Sequence, residues 1–149
     1  MIATRIVVDM QPSFTASAKP EVLVGVTEEL VRAKEEQAPV IFLEYKDFEQ
    51  TYSALTDIFL KYPWAYTATK AINDGSEEAI KLIKKKKLNP FYLRVCGVNT
   101  DACVHATVVG LLDHYKRSKI EVVKKGCGCH CYNGHDWLTF IQHKNLKCV

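Results

Sequence analysis

The chain has 149 residues, of which 48% are hydrophobic and 25% charged, and its formal net charge at pH 7 is +3. This length suits one domain with its own hydrophobic core, and the composition is neither that of a disordered chain nor that of a membrane protein. The mild charge without a basic, aromatic-rich face excludes typical nucleic-acid binders, and no apolar run approaches the roughly 18 residues of a membrane span.

The N-terminal segment indicates a cytoplasmic protein. Residues 1–6 enter an apolar segment directly, without the basic and apolar regions of a signal peptide. The six cysteines do not suggest a secreted disulfide scaffold, because the chain has long periodic apolar segments. We therefore expect reduced thiols and one domain over residues 1–149, with no nucleic-acid or membrane partner.

In chain order, the first half alternates strand and helix patterns. Residues 4–9 are apolar and rich in β-branched side chains, which predicts a buried strand. Pro20 opens a helical pattern, and residues 40–43 form the second strand. Residues 51–60 are interpreted as a short helix, and a weaker third strand is placed near residues 64–67.

The second half repeats the alternation. Asp74 begins a helix that runs to about Lys87, and residues 91–98 form strand four. A helix begins at Asn99 and Thr100, residues 120–123 form strand five, residues 136–143 a last helix, and residues 146–149 a C-terminal strand. Alternating strands and helices predict parallel units with right-handed crossovers. The expected fold is a three-layer α/β/α sandwich with a Rossmann-like, mostly parallel sheet of strand order 3-2-1-4-5-6.

Two chemically useful segments follow neighbouring strands in this arrangement. Ligands of open parallel sheets bind beyond the carboxyl ends of the strands, where the strand order reverses. Asp9 and residues 99–103 lie there. With Thr100 as N-cap, Cys103 falls in the first helical turn, where free backbone N–H groups favour a thiolate and bind an oxyanion.

These segments resemble the isochorismatase-like hydrolase family, which includes nicotinamidases and related amidases. The resemblance runs nearly end to end, and its most specific part surrounds Cys103. It is carried by Val7-Val8-Asp9-Met10-Gln11 with Phe14, by Lys70, by Cys96-Gly97-Val98-Asn99-Thr100-Asp101-Ala102-Cys103-Val104 with Thr107, and by residues 124–127 with a helix near His135.

The resemblance implies a catalytic triad of Asp9, Lys70 and Cys103. Cys103 would be the nucleophile, Asp9 would move the proton, and Lys70 would hold Asp9 and favour the thiolate. It also implies a cis peptide bond between Val98 and Asn99, with the N–H groups of Asn99 and Cys103 as oxyanion donors. Taken alone, Asp9 could equally cap a turn, and Lys70 could be a surface lysine.

Four further residues are candidates for substrate binding because they flank predicted strand ends. They are Gln11, Phe14, Trp64 and Tyr66, and core packing is an equal alternative for the last two. We expect a small-molecule substrate, whereas assembly into a homo-oligomer stays open.

No metal or cofactor is expected. Nicotinamidases carry an Asp-x-His metal cluster with a further histidine after strand two, whereas this chain has Leu43-Glu44-Tyr45-Lys46-Asp47-Phe48 there and no histidine before His105. The segment from Cys127 to Cys131, followed by His135, lacks the usual spacing of zinc ligands. Its thiols are interpreted as lying near the crevice rim, where they would be sensitive to oxidation.

The leading hypothesis is hydrolysis of the C–N bond of a small amide through a thioester on Cys103. One alternative keeps the fold and cleaves the vinyl ether of an isochorismate-like substrate, although family members with that activity generally lack the cysteine. Another alternative is a non-catalytic protein for binding or redox sensing, in which the thiols of residues 127–131 matter.

Overall fold

The computed structural model describes residues 1–130, 137 and 139–149, and their main feature is a six-stranded parallel sheet of strand order 3-2-1-4-5-6. The predicted strand order is confirmed. The strands are β1 Thr4–Val8, β2 Val40–Tyr45, β3 Ala65–Lys70, β4 Tyr92–Val98, β5 Lys119–Gly128 and β6 Leu146–Cys148.

Helices cover both faces of the sheet. One face packs against α1 Pro20–Glu35 and the short α2 Ser53–Thr56, with single 3₁₀ turns at Thr15–Ala18 and Asp57–Phe59. The other face packs against α3 Ser76–Lys86 and α4 His105–His114, and a π-helical turn, Thr100–Val104, leads into α4. No helix in this described part of the chain is long and apolar enough to cross a membrane.

Side-chain alternation along the strands builds the two cores. In β1, Ile6 and Val8 join the core under α3 and α4, whereas Val7 joins the core under α1. Strands that are buried on both faces read as continuous apolar runs, because no position is left for a solvated side chain. This is why residues 4–8 and 40–43 carry so strong a strand signal.

Three predicted elements differ from the structure. The third strand continues to Lys70, and the fifth begins at Lys119 and continues to Gly128. The fifth strand is longer because a register shift opposite Val95 to Gly97 lets its second half pair again with β4. The helix predicted over 136–143 lies partly outside the described residues. Of those described, residue 137 is in a turn, residues 139–140 form a bend and residues 141–143 have no regular secondary structure.

A cluster of buried charges holds the amino-terminal half of the sheet against α1. Arg5, Arg94 and Glu121 are register partners on β1, β4 and β5. Glu29 of α1 accepts hydrogen bonds from Arg5 Nε at 3.1 Å and from Arg94 Nε and Nη2 at 2.6 and 2.9 Å. Arg94 also pairs with Glu121. Arg5 also pairs with Glu36, so removing Glu29 would leave each arginine with a single carboxylate in a largely buried position.

We expect Glu29→Gln to lower the free energy of unfolding by about 3–5 kcal/mol, since two buried guanidinium groups lose their shared carboxylate. Urea unfolding followed by circular dichroism measures this loss. Glu28→Gln is the matched control, because Glu28 is the exposed neighbour on the same helix, and its effect should stay within about 0.5 kcal/mol. Equal stability of the two variants would contradict the role given to Glu29.

Candidate active site

Three predicted site residues meet at the carboxyl edge of the sheet. Asp9 directly follows β1, Lys70 is the last residue of β3, and Cys103 lies in the helical turn that follows β4. Strand β2 separates β1 from β3, so the long side chain of Lys70 crosses the end of β2 to reach Asp9. Its Nζ lies 4.1 Å from the ring centroid of Tyr45, the β2 residue that pairs with Lys70 in the sheet.

Asp9 and Lys70 form a buried ion pair. Lys70 Nζ lies 2.9 Å from Asp9 Oδ2, and the two side chains are 0% and 1% exposed, respectively. Lys70 Nζ also donates a hydrogen bond of 3.0 Å to the carbonyl oxygen of Ile72. The thiol of Cys103 also lies within hydrogen-bonding reach of the Asp9 carboxylate. This carboxylate therefore keeps the capacity to accept a proton.

The backbone of Asp9 is held in an unusual conformation. Its φ is +51°, in the left-handed region that residues other than glycine adopt uncommonly, although aspartate tolerates it better than most. The N–H of Asp9 donates to Leu43 O of β2, and the N–H of Gln11 donates back to Asp9 O. Such a conformation costs about 1–3 kcal/mol and persists only where the surroundings impose it. At this position it turns the carboxylate towards Lys70.

Cys103 is buried at 5% exposure in the turn that precedes α4. The peptide bond between Val98 and Asn99 is cis, as the resemblance implies. The prediction of Thr100 as N-cap is wrong. Asn99 occupies that position without a side-chain cap, and its carbonyl accepts hydrogen bonds from the N–H groups of Ala102 and Val104. Thr100 Oγ1 is buried, and no partner for it exists in the described part of the chain.

The electrostatics keep the thiol protonated and not ionised. Burial raises the pKa of Cys103 to about 11, the charge of Asp9 raises it as well, and Lys70 opposes both. Burial also raises the pKa of Asp9, again opposed by Lys70. The expectation that the helix start alone favours a thiolate is therefore not met in the unliganded site. The unliganded site therefore holds the neutral thiol of Cys103 beside the buried carboxylate of Asp9.

A residue that the sequence did not indicate also contacts the thiol. Asn73 lies in the loop between β3 and α3, and its Oδ1 is 3.6 Å from Cys103 Sγ, where it accepts a hydrogen bond from the thiol. Asn73 is exposed, unlike Asp9 and Lys70. Only the three-dimensional position of the loop identifies it, because Asn73 belongs to no motif.

Gln11 and Phe14 lie near this site, in different roles. The side chain of Gln11 is buried and bonds to the backbone of the loop after β2, with Tyr45 O and Glu49 O as acceptors and Tyr45 N–H as donor. Phe14 packs against the rings of Tyr45 and Phe48, with centroids 6.1 and 5.2 Å away. Gln11 therefore fixes the loop that carries this aromatic cluster, and Phe14 is part of the cluster.

The structure does not bring Trp64 and Tyr66 together with Asp9, Lys70 and Cys103. Because β3 ends at Lys70, Trp64 precedes the strand at the amino edge of the sheet, where its carbonyl accepts a hydrogen bond from Val40 N–H. The ring of Tyr66 lies under Lys86, at the end of α3 that is remote from the site. The sequence placed the end of the strand too early.

The cysteine segment after β5 does not form a metal site within its described part. Cys127, near the end of β5, is a free and partly buried thiol whose pKa is raised to about 12 by desolvation, and Cys129 is disulfide-bonded, contrary to the expectation of reduced thiols. Cys131 and His135 lie outside the described residues. In residues 1–130, 137 and 139–149, no group of three or more histidine, cysteine, aspartate or glutamate side chains is placed to hold a metal ion.

The residues after β2 do not fit the nicotinamidase type of metal cluster either. Glu44 Oε1 accepts hydrogen bonds from the N–H and the hydroxyl of Thr51, each at 2.9 Å. Asp47 lies two residues beyond the strand in a left-handed turn, with no histidine nearby in the sequence.

No protein-family model matches the chain, and no curated protein matches it in sequence. Solved structures do match. A nicotinamidase from Staphylococcus aureus has 20% identity and a TM-score of 0.70, with 85% of this chain and 83% of that chain covered. A MAR1 ribonuclease from Caenorhabditis elegans has 18% identity and a TM-score of 0.72, with 89% and 67% covered.

An isochorismatase from Pseudomonas putida has 15% identity and a TM-score of 0.70, with 89% of this chain and 75% of that chain covered. The chain therefore has the fold of these proteins, and the three-layer α/β sandwich predicted from the alternation of strands and helices is confirmed. These neighbours carry different activities on one fold, so the chemistry must be argued from the site itself.

The high pKa of Cys103 predicts a slow reaction with iodoacetamide at neutral pH that accelerates towards pH 11. Asp9→Asn removes a negative charge beside the sulfur, so the midpoint of the pH profile should fall. Mass spectrometry of the Cys103 peptide measures the rate. Cys148 on β6 is an internal reference, and its profile should be the same in both proteins. An unchanged or higher Cys103 midpoint in the variant would disprove the charge coupling.

Lys70→Met should destabilise the protein by about 3–5 kcal/mol at pH 7, because it leaves Asp9 charged and unpaired in the interior. When the pKa of a carboxyl group is higher in the folded than in the unfolded protein, the free energy of unfolding falls as the pH rises from the unfolded pKa to the folded pKa. Because Lys70 opposes that rise in the wild type, the variant should lose more stability than the wild type between about pH 4 and pH 7.

The double variant Asp9→Asn/Lys70→Met has no buried charge at this position and should recover most of the lost stability at pH 7. Thermal and urea unfolding at several pH values measure both effects. A loss that does not depend on pH, or a double variant as unstable as Lys70→Met, would show that Lys70 acts through packing alone.

Proposed function

We propose that this protein is a hydrolase that cleaves the C–N bond of a small amide through a thioester on Cys103. The observation that carries the proposal is the buried Asp9–Lys70 ion pair beside the Cys103 thiol, at the carboxyl edge of the sheet. The sequence around these residues resembles the isochorismatase-like family, and the fold agrees with that resemblance.

In the first half-reaction the sulfur of Cys103 attacks the carbonyl carbon of the amide while the Asp9 carboxylate takes the thiol proton. Because the pKa of the thiol is raised, Cys103 stays protonated until the substrate is bound. The raised pKa of Asp9 makes its carboxylate a stronger base than an exposed carboxylate. Lys70 balances the negative charge that passes from Asp9 to the substrate oxygen. The N–H groups of Asn99 and Cys103 are our candidates for holding that oxygen.

The tetrahedral intermediate then collapses. Asp9 returns its proton to the leaving nitrogen, the C–N bond breaks, and ammonia or an amine departs from the acyl thioester. In the second half-reaction a water molecule attacks the thioester carbon and gives a proton to Asp9. The C–S bond breaks, the acid product leaves, and the sulfur recovers its proton from Asp9.

The aromatic cluster of Phe14, Tyr45 and Phe48 favours a flat substrate. Phe48 is 49% exposed, and Tyr45 contacts the ammonium of Lys70, so the cluster lies between solvent and the catalytic pair. Faces and edges of aromatic rings bind planar groups well. A small aromatic or heteroaromatic carboxamide is therefore the substrate class that we propose, in line with the nicotinamidase of the same fold.

The two alternatives fit the site less well. Hydrolysis of a vinyl ether needs no nucleophile of the kind that Cys103 offers here. Of the thiols in residues 127–131 on which the redox-sensing alternative rests, Cys127 is unsuited because burial raises its pKa to about 12, whereas Cys129 is disulfide-bonded, so that alternative depends on Cys129.

The test is a screen of small primary carboxamides, benzamide and nicotinamide among them, with ammonia release as the readout. We expect turnover by the wild type and a loss of at least about 10³-fold in Cys103→Ala, because removing a nucleophile ends the covalent route. Mass spectrometry of the wild type quenched in acid should show the acyl group on the Cys103 peptide.

Cys148→Ser is the matched control for loss of a thiol, since Cys148 is a free cysteine on the far strand β6, and its activity should equal that of the wild type. Turnover of an amide by Cys103→Ala at the wild-type rate would refute the thioester. Cleavage of isochorismate by both proteins, without amide turnover, would favour the ether-cleaving alternative.

A further inference from the structure

Asn73 is the exposed side chain that contacts the nucleophile. Among the side chains near Cys103 Sγ, Asp9 and Lys70 are buried and belong to the ion pair, whereas Asn73 faces solvent with its Oδ1 3.6 Å from the sulfur. Asn73 is therefore accessible to a substrate that binds at the sulfur from solvent. Its carboxamide is uncharged, so it can contribute a hydrogen bond without disturbing the proton transfer between Cys103 and Asp9.

The loop that carries Asn73 is fixed on both sides. Before it, the catalytic Lys70 donates a hydrogen bond to Ile72 O. After it, Gly75 N–H donates to Thr107 Oγ1 at 3.0 Å, and Ser76 N–H donates to Asp74 Oδ1 at 2.8 Å. The side chain of Asn73 is therefore placed by the same lysine that holds Asp9 and by α4, the helix that begins after Cys103.

The partner of Asn73 must change during the reaction. In the unliganded protein Oδ1 accepts a hydrogen bond from the thiol of Cys103. When the thiol proton moves to Asp9 and the sulfur bonds to the carbonyl carbon, Oδ1 loses this donor. The nitrogen of the scissile amide then lies two covalent bonds from the sulfur. Its N–H group is therefore within hydrogen-bonding reach of Asn73 Oδ1, which accepted the hydrogen bond of the thiol before the reaction. An ester or ether oxygen at that place has no hydrogen and would meet the lone pairs of Oδ1.

We propose that Asn73 accepts a hydrogen bond from the N–H of the scissile amide and thereby selects amides over esters and ethers of the same shape. This inference rests on the proposed function and specifies its substrate as an amide with at least one hydrogen on the scissile nitrogen. A polar group placed to pair with a substrate N–H discriminates against an analogue whose oxygen would instead face the lone pairs of that group.

The test compares the primary carboxamide that the wild type turns over fastest in the screen with the methyl ester of the same acid. In Asn73→Ala we expect kcat/KM for the amide to fall about 10- to 100-fold, and kcat/KM for the ester to change less than about 3-fold. Asn73→Gln keeps an uncharged amide oxygen as acceptor and should retain more amide activity than Asn73→Ala. The N,N-dimethyl amide, which has no N–H, should be a poor substrate of all three proteins.

Ile72→Ala is the control for the loop, because Ile72 is the adjacent residue and 64% exposed, and it should leave the amide-to-ester ratio unchanged. An equal fall for amide and ester in Asn73→Ala would mean that Asn73 acts on the thiol and would overturn this inference alone. Amide turnover by Asn73→Ala with the wild-type ratio of kcat/KM for amide and ester would also overturn it. Ester hydrolysis by the wild type without turnover of any amide would overturn the C–N assignment together with the role of Asn73.

Discussion

The buried pair of Asp9 and Lys70 is the interaction on which the rest of the site depends. Two opposite charges in the interior are tolerated only when they stay together, since each alone would carry a desolvation penalty of several kcal/mol. Lys70 comes from β3 and Asp9 follows β1, so the pair forms across the end of β2, which lies between them in the sheet. The ion pair therefore couples the chemistry directly to the strand order.

The same pair explains why neighbouring positions are so restricted. Asp9 adopts a positive φ to turn its carboxylate towards Lys70. Gly97 of β4, with φ +122°, lies so close to Val8 that a Cβ atom would come within 2.1 Å of Val8 O. Gly75 has no room for a Cβ beside the Lys70 side chain and Leu43, each 2.8 Å away. These residues bring three strand ends and one loop together around a single pair of charges.

The sequence predicts the sheet and the proximity of Asp9, Lys70 and Cys103 better than it predicts the loops around these three residues. Alternating patterns predict a parallel α/β sheet, and the position of Asp9 and Cys103 after adjacent strands follows from the expected strand order and from the family resemblance. Asn73 and Phe48 lie in loops, whose positions depend on contacts such as Gln11 with Tyr45 O and Lys70 with Ile72 O. A local pattern holds no information about such contacts. The error at Trp64 has a simpler cause, since a half-exposed edge strand shows no clear end in its sequence.

The buried charge cluster at the other end of the sheet has a consequence for the site. Arg5 precedes Asp9 by four residues on β1, and Arg94 precedes Val98 by four residues on β4, so both arginines lie on the strands that carry the chemistry. Glu29 binds both, and this fixes β1 and β4 against each other through α1. A slip of one residue between these strands would separate the arginines from Glu29 and would also move Asp9 away from Cys103. The ion cluster therefore protects the register that the active site requires, although it lies far from the reacting atoms.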